Sequence, residues 1–396
     1  MLNNIVRMAA AGSGKTYTIC REAEKELIKL RTSGNKYGKI LMISYANRAV
    51  HSIETELRKA NLGVIPNGIV VMSWYSFLLR EMIKPYQTEI FNINEVKGLY
   101  FNSHNEINYG TKGTRKRYLT DNGSIKSEQA SELVEELNKL SEGAVIHRIE
   151  DIYNHIFIDE FQDLAAYDLN IVEALMKSRV SVTAVGDGKQ AIFKTNSSSK
   201  NKGKGGSNLR EYFQKLNEKG LAKVENQNVS RRFNYEICNF ANRIFPNQPI
   251  STCMNDSTNH DGVYLIQPQD VNAYYQYFTP IILKYDKKTK IGSYNSFNFG
   301  ECKGETYDRV LIYPNGPLKH FLIKGKEIKS PIKYYIAATR ARYSIAIVMD
   351  KIPANDVHYK ELSLNLNNHI IKLLHLIPDK KFDAPNEIKD IANDIV

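Results

Sequence analysis

The sequence predicts an α/β protein with parallel sheets, and three observations carry that reading. A glycine-rich turn, Ala9-Ala10-Ala11-Gly12-Ser13-Gly14-Lys15-Thr16, separates a short strand-like segment at residues 4–8 from a helical pattern that starts at Thr16. Apolar runs of strand length at residues 39–45, 68–72, 155–158 and 180–185 alternate with helical patterns, as in a parallel sheet with crossover helices. Beyond residue 222 the composition shifts, and a second series of strand-like runs follows at residues 262–266, 309–313 and 344–349, without a glycine-rich turn of its own.

The 396 residues suffice for about two or three domains with ample core. Lys and Arg outnumber Asp and Glu, 54 to 43, giving a formal net charge of +11. That excess favours an anionic partner, nucleic acid before membrane. Cys20, Cys238, Cys253 and Cys302 are scattered and form no Cys-x-x-Cys pair, which argues against zinc and against a disulfide framework. No apolar run reaches the roughly eighteen residues of a spanning helix. With the first strand so near residue 1, a cytoplasmic, reduced protein is expected.

Strand, glycine-rich loop, Lys-Thr and helix together form the phosphate-binding loop of nucleotide hydrolases. Backbone N–H groups from Gly12 to Lys15 are expected to wrap the β- and γ-phosphates, helped by the partial positive charge of the helix N-terminus. Lys15 would neutralise phosphate charge and the Thr16 hydroxyl would hold Mg²⁺. Ala9 stands where the usual pattern has Gly. The expected ligands are therefore ATP and Mg²⁺, with residues Ala9, Ala10, Ala11, Gly12, Ser13, Gly14, Lys15 and Thr16 lining the nucleotide.

The apolar run at 155–158 delivers two adjacent carboxylates, Asp159 and Glu160. Asp159 would complete Mg²⁺ coordination with Thr16. Glu160 would orient and deprotonate the attacking water. Phosphoryl transfer relies mainly on positioning and charge neutralisation, so this short set of groups is chemically sufficient. After the run at 180–185 comes Gly186-Asp187-Gly188-Lys189-Gln190, where Gln190 could bridge the γ-phosphate and a neighbouring element.

Tyr45 and Trp74 fall at strand ends, where ligands of parallel sheets sit. They either stack on bases of a single strand or serve as core aromatics. Between residues 79 and 150 the alternation lapses into a mostly helical insertion whose basic cluster, Lys112, Arg115, Lys116 and Arg117, reads as phosphate contact or as a solvated loop. Residues 196–208, nearly all Ser, Gly, Asn and Lys, read as a mobile basic loop or tether. Residues 351–396 read as a polar, helical tail.

Taken in order, these motifs resemble the superfamily 1 DNA helicases of the UvrD, Rep and PcrA type. Residues 9–16 resemble their motif I, Ser44-Tyr45-Ala46-Asn47-Arg48-Ala49 motif Ia, and Ser73-Trp74-Tyr75-Ser76 the next DNA-contact motif. Asp159-Glu160-Phe161-Gln162-Asp163 is similar to motif II, and Gly186-Asp187 with Gln190-Ala191-Ile192-Phe193 to motif III. Arg232 falls where motif IV has its arginine finger, Lys303-Gly304 falls in motif V, and Tyr335-Ile336-Ala337-Ala338-Thr339-Arg340-Ala341 matches motif VI.

The resemblance implies two RecA-like P-loop NTPase domains around one ATP. Residues 1–78 with 151–222 would form the first, 79–150 an insertion in it, and 223–350 the second, with its own insertion reduced. It makes Lys15, Glu160, Gln190, Arg232 and Arg340 catalytic and adds Arg231, Arg232 and Arg340 to the nucleotide contacts. It also implies single-stranded DNA, or a duplex with a single-stranded tail, touched by Tyr45, Trp74, Tyr75 and Phe193, with 3′ to 5′ movement. Arg231 replaces a motif IV tyrosine near the adenine, and its guanidinium can also stack on a base. The family's adenine-reading glutamine upstream of motif I has no counterpart here, so GTP is expected to be hydrolysed within about tenfold of ATP. Motifs IV and V lie about sixty residues apart, too close for a regulatory 2B subdomain. The small helicase-like component of the Gabija anti-phage system is also a shortened member, so a defence role follows by analogy. The alternatives to a motor are an ATP- and nucleic-acid-responsive sensor regulating a partner nuclease, and a nucleotide-dependent scaffold. Glu160 and the two arginines favour hydrolysis over the scaffold.

Overall fold

A computed structural model describes residues 3–88, 95–101, 110–193, 195, 198–350 and 357–382. The chain divides into two compact units, residues 1–9 with 14–227 and residues 10–13 with 228–396.

The first unit is built on a six-stranded sheet. Its strands are β1 (Ile5–Ala9), β2 (Lys39–Ser44), β3 (Ile69–Ser73), β6 (Tyr153–Ile158), β7 (Ser181–Gly186) and β8 (Lys223–Gln227), in the order β3-β2-β6-β7-β1-β8. Every neighbouring pair is parallel. The central strands are apolar on both faces because both faces are covered. Val6, Leu41, Ile43, Ile156, Ile158, Val182 and Ala184 point into one core, and Ala9, Ile40, Met42, Phe157 and Val185 point into the other. Helices α1 (Lys15–Thr32) and α2 (Asn47–Ala60) close the second face through Ile19, Cys20, Ala23, Leu27, Ile53 and Leu57.

The expected insertion at 79–150 does not form a core of its own. Its helix Ala130–Leu140 places Leu133, Val134 and Leu137 in the same core as Trp74 and the sheet. A small parallel pair, β4 (Leu99–Tyr100) with β5 (Ile125–Lys126), borders it. Half of the basic cluster is neutralised within the unit: Lys112 pairs with Glu136 at 2.7 Å and Arg117 with Glu132 at 2.6 Å. The basic loop after residue 197 is also held in place. Asn201, at φ 56°, donates to the Ala166 carbonyl at 2.8 Å and to the Asn170 side chain at 2.7 Å.

Residues 223–227, read from the sequence as the start of the second domain, instead complete the first sheet. β8 lies parallel to β1, with Val224 opposite Val6 and Gln227 opposite Ala9. The second unit holds a two-stranded pair, β9 (Val229–Ser230) and β10 (Ser251–Thr252), and a seven-stranded sheet. That sheet comprises β11 (Gly262–Ile266), β12 (Ile281–Lys284), β13 (Ser296–Asn298), β14 (Tyr307–Tyr313), β15 (Ala341–Val348), β16 (Tyr359–Leu366) and β17 (His369–Leu376). Five of these strands are parallel to their neighbours, in the order β13-β12-β14-β15-β11.

β16 and β17 overturn the expected helical tail over their span. They form a hairpin whose second strand runs antiparallel to β11. The two-residue turn, Asn367-Asn368, has φ of 50° and 68°, the primed geometry whose twist suits a hairpin and which Asn tolerates. Ile371 and Leu373 face the core, while Ile370 and Lys372 face away. This alternation belongs to a half-buried strand. Residues 351–356 and 383–396 of the tail lie outside the described residues.

The N-terminal strand is anchored by one buried side chain. Asn4, 2% exposed, donates to the carbonyls of Met176 at 2.7 Å and Leu221 at 2.9 Å, and accepts from the Val182 N–H at 2.9 Å. Asn4→Ala leaves three buried backbone groups without that partner and should lower stability by about 2–4 kcal/mol, read from urea unfolding curves.

Candidate nucleotide site and nucleic-acid face

All six strands of the first sheet run the same way, so their carboxyl ends share one edge. That edge brings together Ala9, Ser44-Tyr45, Ser73-Trp74, Asp159-Glu160 and Gly186-Asp187, segments far apart in sequence.

The loop after β1 needs glycine for conformation and for space. Gly12 and Gly14 have φ of 74° and 79°, in the left-handed region where Cβ is disfavoured. A Cβ on Gly12 would also lie 2.5 Å from the Arg232 Cβ. The Gly12 carbonyl accepts the Arg231 N–H at 2.8 Å, which groups residues 10–13 with the second unit. Helix α1 begins at Lys15 with no side-chain cap from Gly14. Its first-turn N–H groups therefore suit an anion.

Asp159 sits directly after β6, 2% exposed. The Thr16 hydroxyl donates to its Oδ2 at 2.7 Å, and the Glu160 N–H donates to its Oδ1 at 2.9 Å. Burial, and then the neighbouring Glu160 charge, raise the Asp159 pKa above the usual carboxylate range; the Thr16 hydrogen bond and the Lys15 charge oppose that. A hydroxyl and a carboxylate in contact are hard oxygen donors, the chemistry Mg²⁺ prefers. Asp159 and Thr16 thus fit the cation expected from the sequence.

Glu160 has φ 53°, a left-handed conformation for a residue with a Cβ. Such strain costs about 1–3 kcal/mol and persists where the surroundings enforce it. Here the Gln162 amide donates to the Glu160 carboxylate, while its Oε1 accepts the Asp187 N–H at 2.9 Å. Gln162 therefore joins the loop after β6 to the loop after β7. The sequence motifs gave it no role, although it lies inside the stretch similar to motif II. Gln190, 4% exposed, donates to Asp187 Oδ2 at 2.9 Å.

In the second unit, Arg232 and Arg340 meet around one residue. Arg232 Nη1 donates to the Thr339 carbonyl at 3.1 Å, and Arg340 Nη2 donates to the Thr339 hydroxyl at 3.2 Å. Arg340 is 1% exposed and also donates to the carbonyls of Ile336 at 3.0 Å and Glu305 at 3.1 Å. Arg231 is exposed.

The aromatic residues divide. Tyr45 and Tyr75 are half-buried with ring centroids 5.8 Å apart, and Tyr75 meets the exposed Phe101 edge-on at 5.2 Å. Phe193 is 44% exposed. Trp74 corrects the expectation of base stacking: it has no exposed surface, packs on Phe77, and its indole N–H donates to Asp168 Oδ1 at 2.8 Å. A base cannot reach it, and the core alternative for this residue holds. Phe101, which no motif marks, is the exposed ring beside Tyr75.

Residues 77–202 match the family model of the UvrD/REP helicase N-terminal domain. That span includes the insertion, Asp159–Asp163 and Gly186–Phe193, and it begins after the phosphate-binding loop. Curated protein sequences contain no match. Among solved structures, an arterivirus nonstructural protein 10 helicase has a TM-score of 0.41 at 12% identity, over 88% of this chain and 59% of that one. The same protein in complex with DNA has a TM-score of 0.43 at 13% identity, over 90% and 61%. The chain thus spans about three-fifths of the length of these helicases. In its middle third the chain thus resembles the UvrD/REP helicase N-terminal domain.

Proposed function

We propose that this chain is an ATP-driven helicase or translocase on single-stranded DNA, moving 3′ to 5′, with RecA-like domains 1A and 2A. The observation that supports it most is the hydrogen bond from Thr16 to Asp159. It joins the end of the phosphate-binding loop to the carboxylate pair of the next motif at the ligand-binding edge of a parallel sheet.

In this reading Lys15 and the first-turn N–H groups of α1 hold the β- and γ-phosphates. Thr16 and Asp159 would hold Mg²⁺, whose charge would offset that of the phosphate oxygens. Glu160 accepts a proton from the attacking water, its carboxylate aimed by the Gln162 amide. Arg232 stabilises charge developing on the transferred phosphoryl group, a role typically worth ~10³–10⁵ in rate. Arg340, expected from the sequence to do the same, is 1% exposed and bonded to Ile336, Glu305 and Thr339, so it holds Thr339 beside Arg232 rather than meeting phosphate itself. Tyr45, Tyr75, Phe101 and Phe193 offer stacking faces to successive bases.

Glu160→Gln should retain nucleotide binding and abolish turnover. Gln162→Ala should lower kcat about tenfold to a hundredfold with KM for ATP nearly unchanged, because it only aims Glu160. Arg232→Ala should lower kcat by about 10³ with a smaller loss of affinity. Steady-state ATPase kinetics with fluorescent-nucleotide binding check all three; near wild-type turnover in Glu160→Gln removes the base assignment.

Binding to an oligodeoxythymidylate should fall steeply with salt, each phosphate contact contributing about −0.7 to the log–log slope. Phe101→Ala should weaken it by ~1–3 kcal/mol while leaving the slope unchanged. Fluorescence anisotropy across a salt series measures both. A strand-displacement assay separates the motor from the sensor reading, which predicts stimulated hydrolysis without unwinding.

A further inference from the structure

Helix Tyr167–Met176 carries a carboxylate that the mechanism does not use. Asp168 is 1% exposed. Its Oδ1 accepts the Trp74 indole N–H at 2.8 Å and the Ser131 hydroxyl. Its Oδ2 accepts the Ala165 N–H at 3.2 Å and the Thr195 hydroxyl. Four segments of the first unit thus converge on one side chain: the helix after β3, the insertion, the loop after β6 and the segment after β7. Burial raises the Asp168 pKa, against the four donors that favour its charge.

A buried carboxylate is a poor way to gain stability, since well-packed apolar groups do as well. What this one supplies is a fixed arrangement of its donors. Those donors lie on a continuous path between the two parts of the candidate site. Thr195 donates its N–H to the Asp163 carbonyl at 3.0 Å, and the Asp163 N–H donates to the Glu160 carbonyl at 3.0 Å. In the other direction the Thr195 carbonyl accepts the Tyr75 hydroxyl at 2.7 Å, and the Tyr75 ring faces Tyr45 and Phe101. Trp74, also held by Asp168, is the residue before Tyr75.

We propose that Asp168 is a positioning residue that makes nucleic-acid contact at Tyr75 and hydrolysis at Glu160 depend on each other. It rests on the reading of the chain as a DNA-stimulated ATPase. A base that shifts the Tyr75 ring moves the Thr195 carbonyl. Asp168, gripping the Thr195 hydroxyl and the Ala165 N–H together, passes that shift to the loop carrying Glu160 rather than letting it dissipate.

The test uses the full chain and three variants, Asp168→Asn, Ser131→Ala and Thr195→Val, each checked for folding by thermal melting. ATPase rates are measured with and without an oligodeoxythymidylate, along with KM for ATP and oligonucleotide affinity. Asp168→Asn should keep its unstimulated rate and KM for ATP within about twofold while losing about tenfold in stimulation. The two single-donor variants should fall between it and wild type, and they keep the test open if Asp168→Asn does not fold. Trp74 is the sole tryptophan, so its emission reports on this network directly. In the wild type, oligonucleotide and a non-hydrolysable nucleotide should each shift that emission, and in Asp168→Asn neither should. Folded variants with full stimulation, or stimulated and unstimulated rates falling in proportion, overturn the proposal, as does a wild-type Trp74 emission indifferent to bound ligands. A wild type that binds both ligands and shifts Trp74, yet hydrolyses no ATP, sinks the ATPase reading instead.

Discussion

The candidate site depends on a single constraint, the common direction of the six strands in the first sheet. Parallel pairing sets Met8 opposite Gly186, Ala184 opposite Ile158, and Ile158 opposite Ile43. Consecutive carboxyl ends are therefore side by side, and Thr16 reaches Asp159 across 143 residues of sequence. One reversed strand would carry its motif to the opposite edge. Parallel strands require crossovers, and the crossover helices bury both faces of the sheet. The same arrangement that gathers the motifs thus also forms the core.

Gathering those motifs buries polar groups, and the unit meets the consequence by satisfying them. Asp159, Asp168 and Asp187 are each 2% exposed or less, and each accepts at least two hydrogen bonds. An unsatisfied buried polar group costs about 1–3 kcal/mol, against a typical total stability of 5–15 kcal/mol. Several left open would unfold the unit. Within the site itself, Glu160 departs from relaxed geometry. Its left-handed backbone is held by Asp159 on one side and by Gln162 on the other, so the strain sits where positioning matters.

The second unit handles its arginines differently. Arg340 is enclosed by backbone carbonyls and a hydroxyl rather than solvent, which fixes its planar fork in one orientation. Its sheet would expose β11 as an edge beside β15. The hairpin β16–β17 covers that edge, and unpaired strand edges invite association.

What the sequence determined by itself was local chemistry. The loop at 9–16, the paired carboxylates after an apolar strand and the alternation of strands with helices depend on short spacings, and the structure places them on one edge as that pattern implies. Tertiary structure decided whatever turns on distant partners. Trp74 looks the same in a sequence whether it faces a base or a buried aspartate 94 residues away. Residues 223–227 follow a shift in composition, yet they pair with β1 because a parallel strand takes whichever neighbour offers its ladder. Residues 359–376 of the tail form a hairpin because β11 presents an open edge and Asn367-Asn368 accept positive φ. Asp168 has no motif to mark it. Its role follows from four donors that only long-range packing brings within hydrogen-bond distance, and no local spacing encodes that meeting.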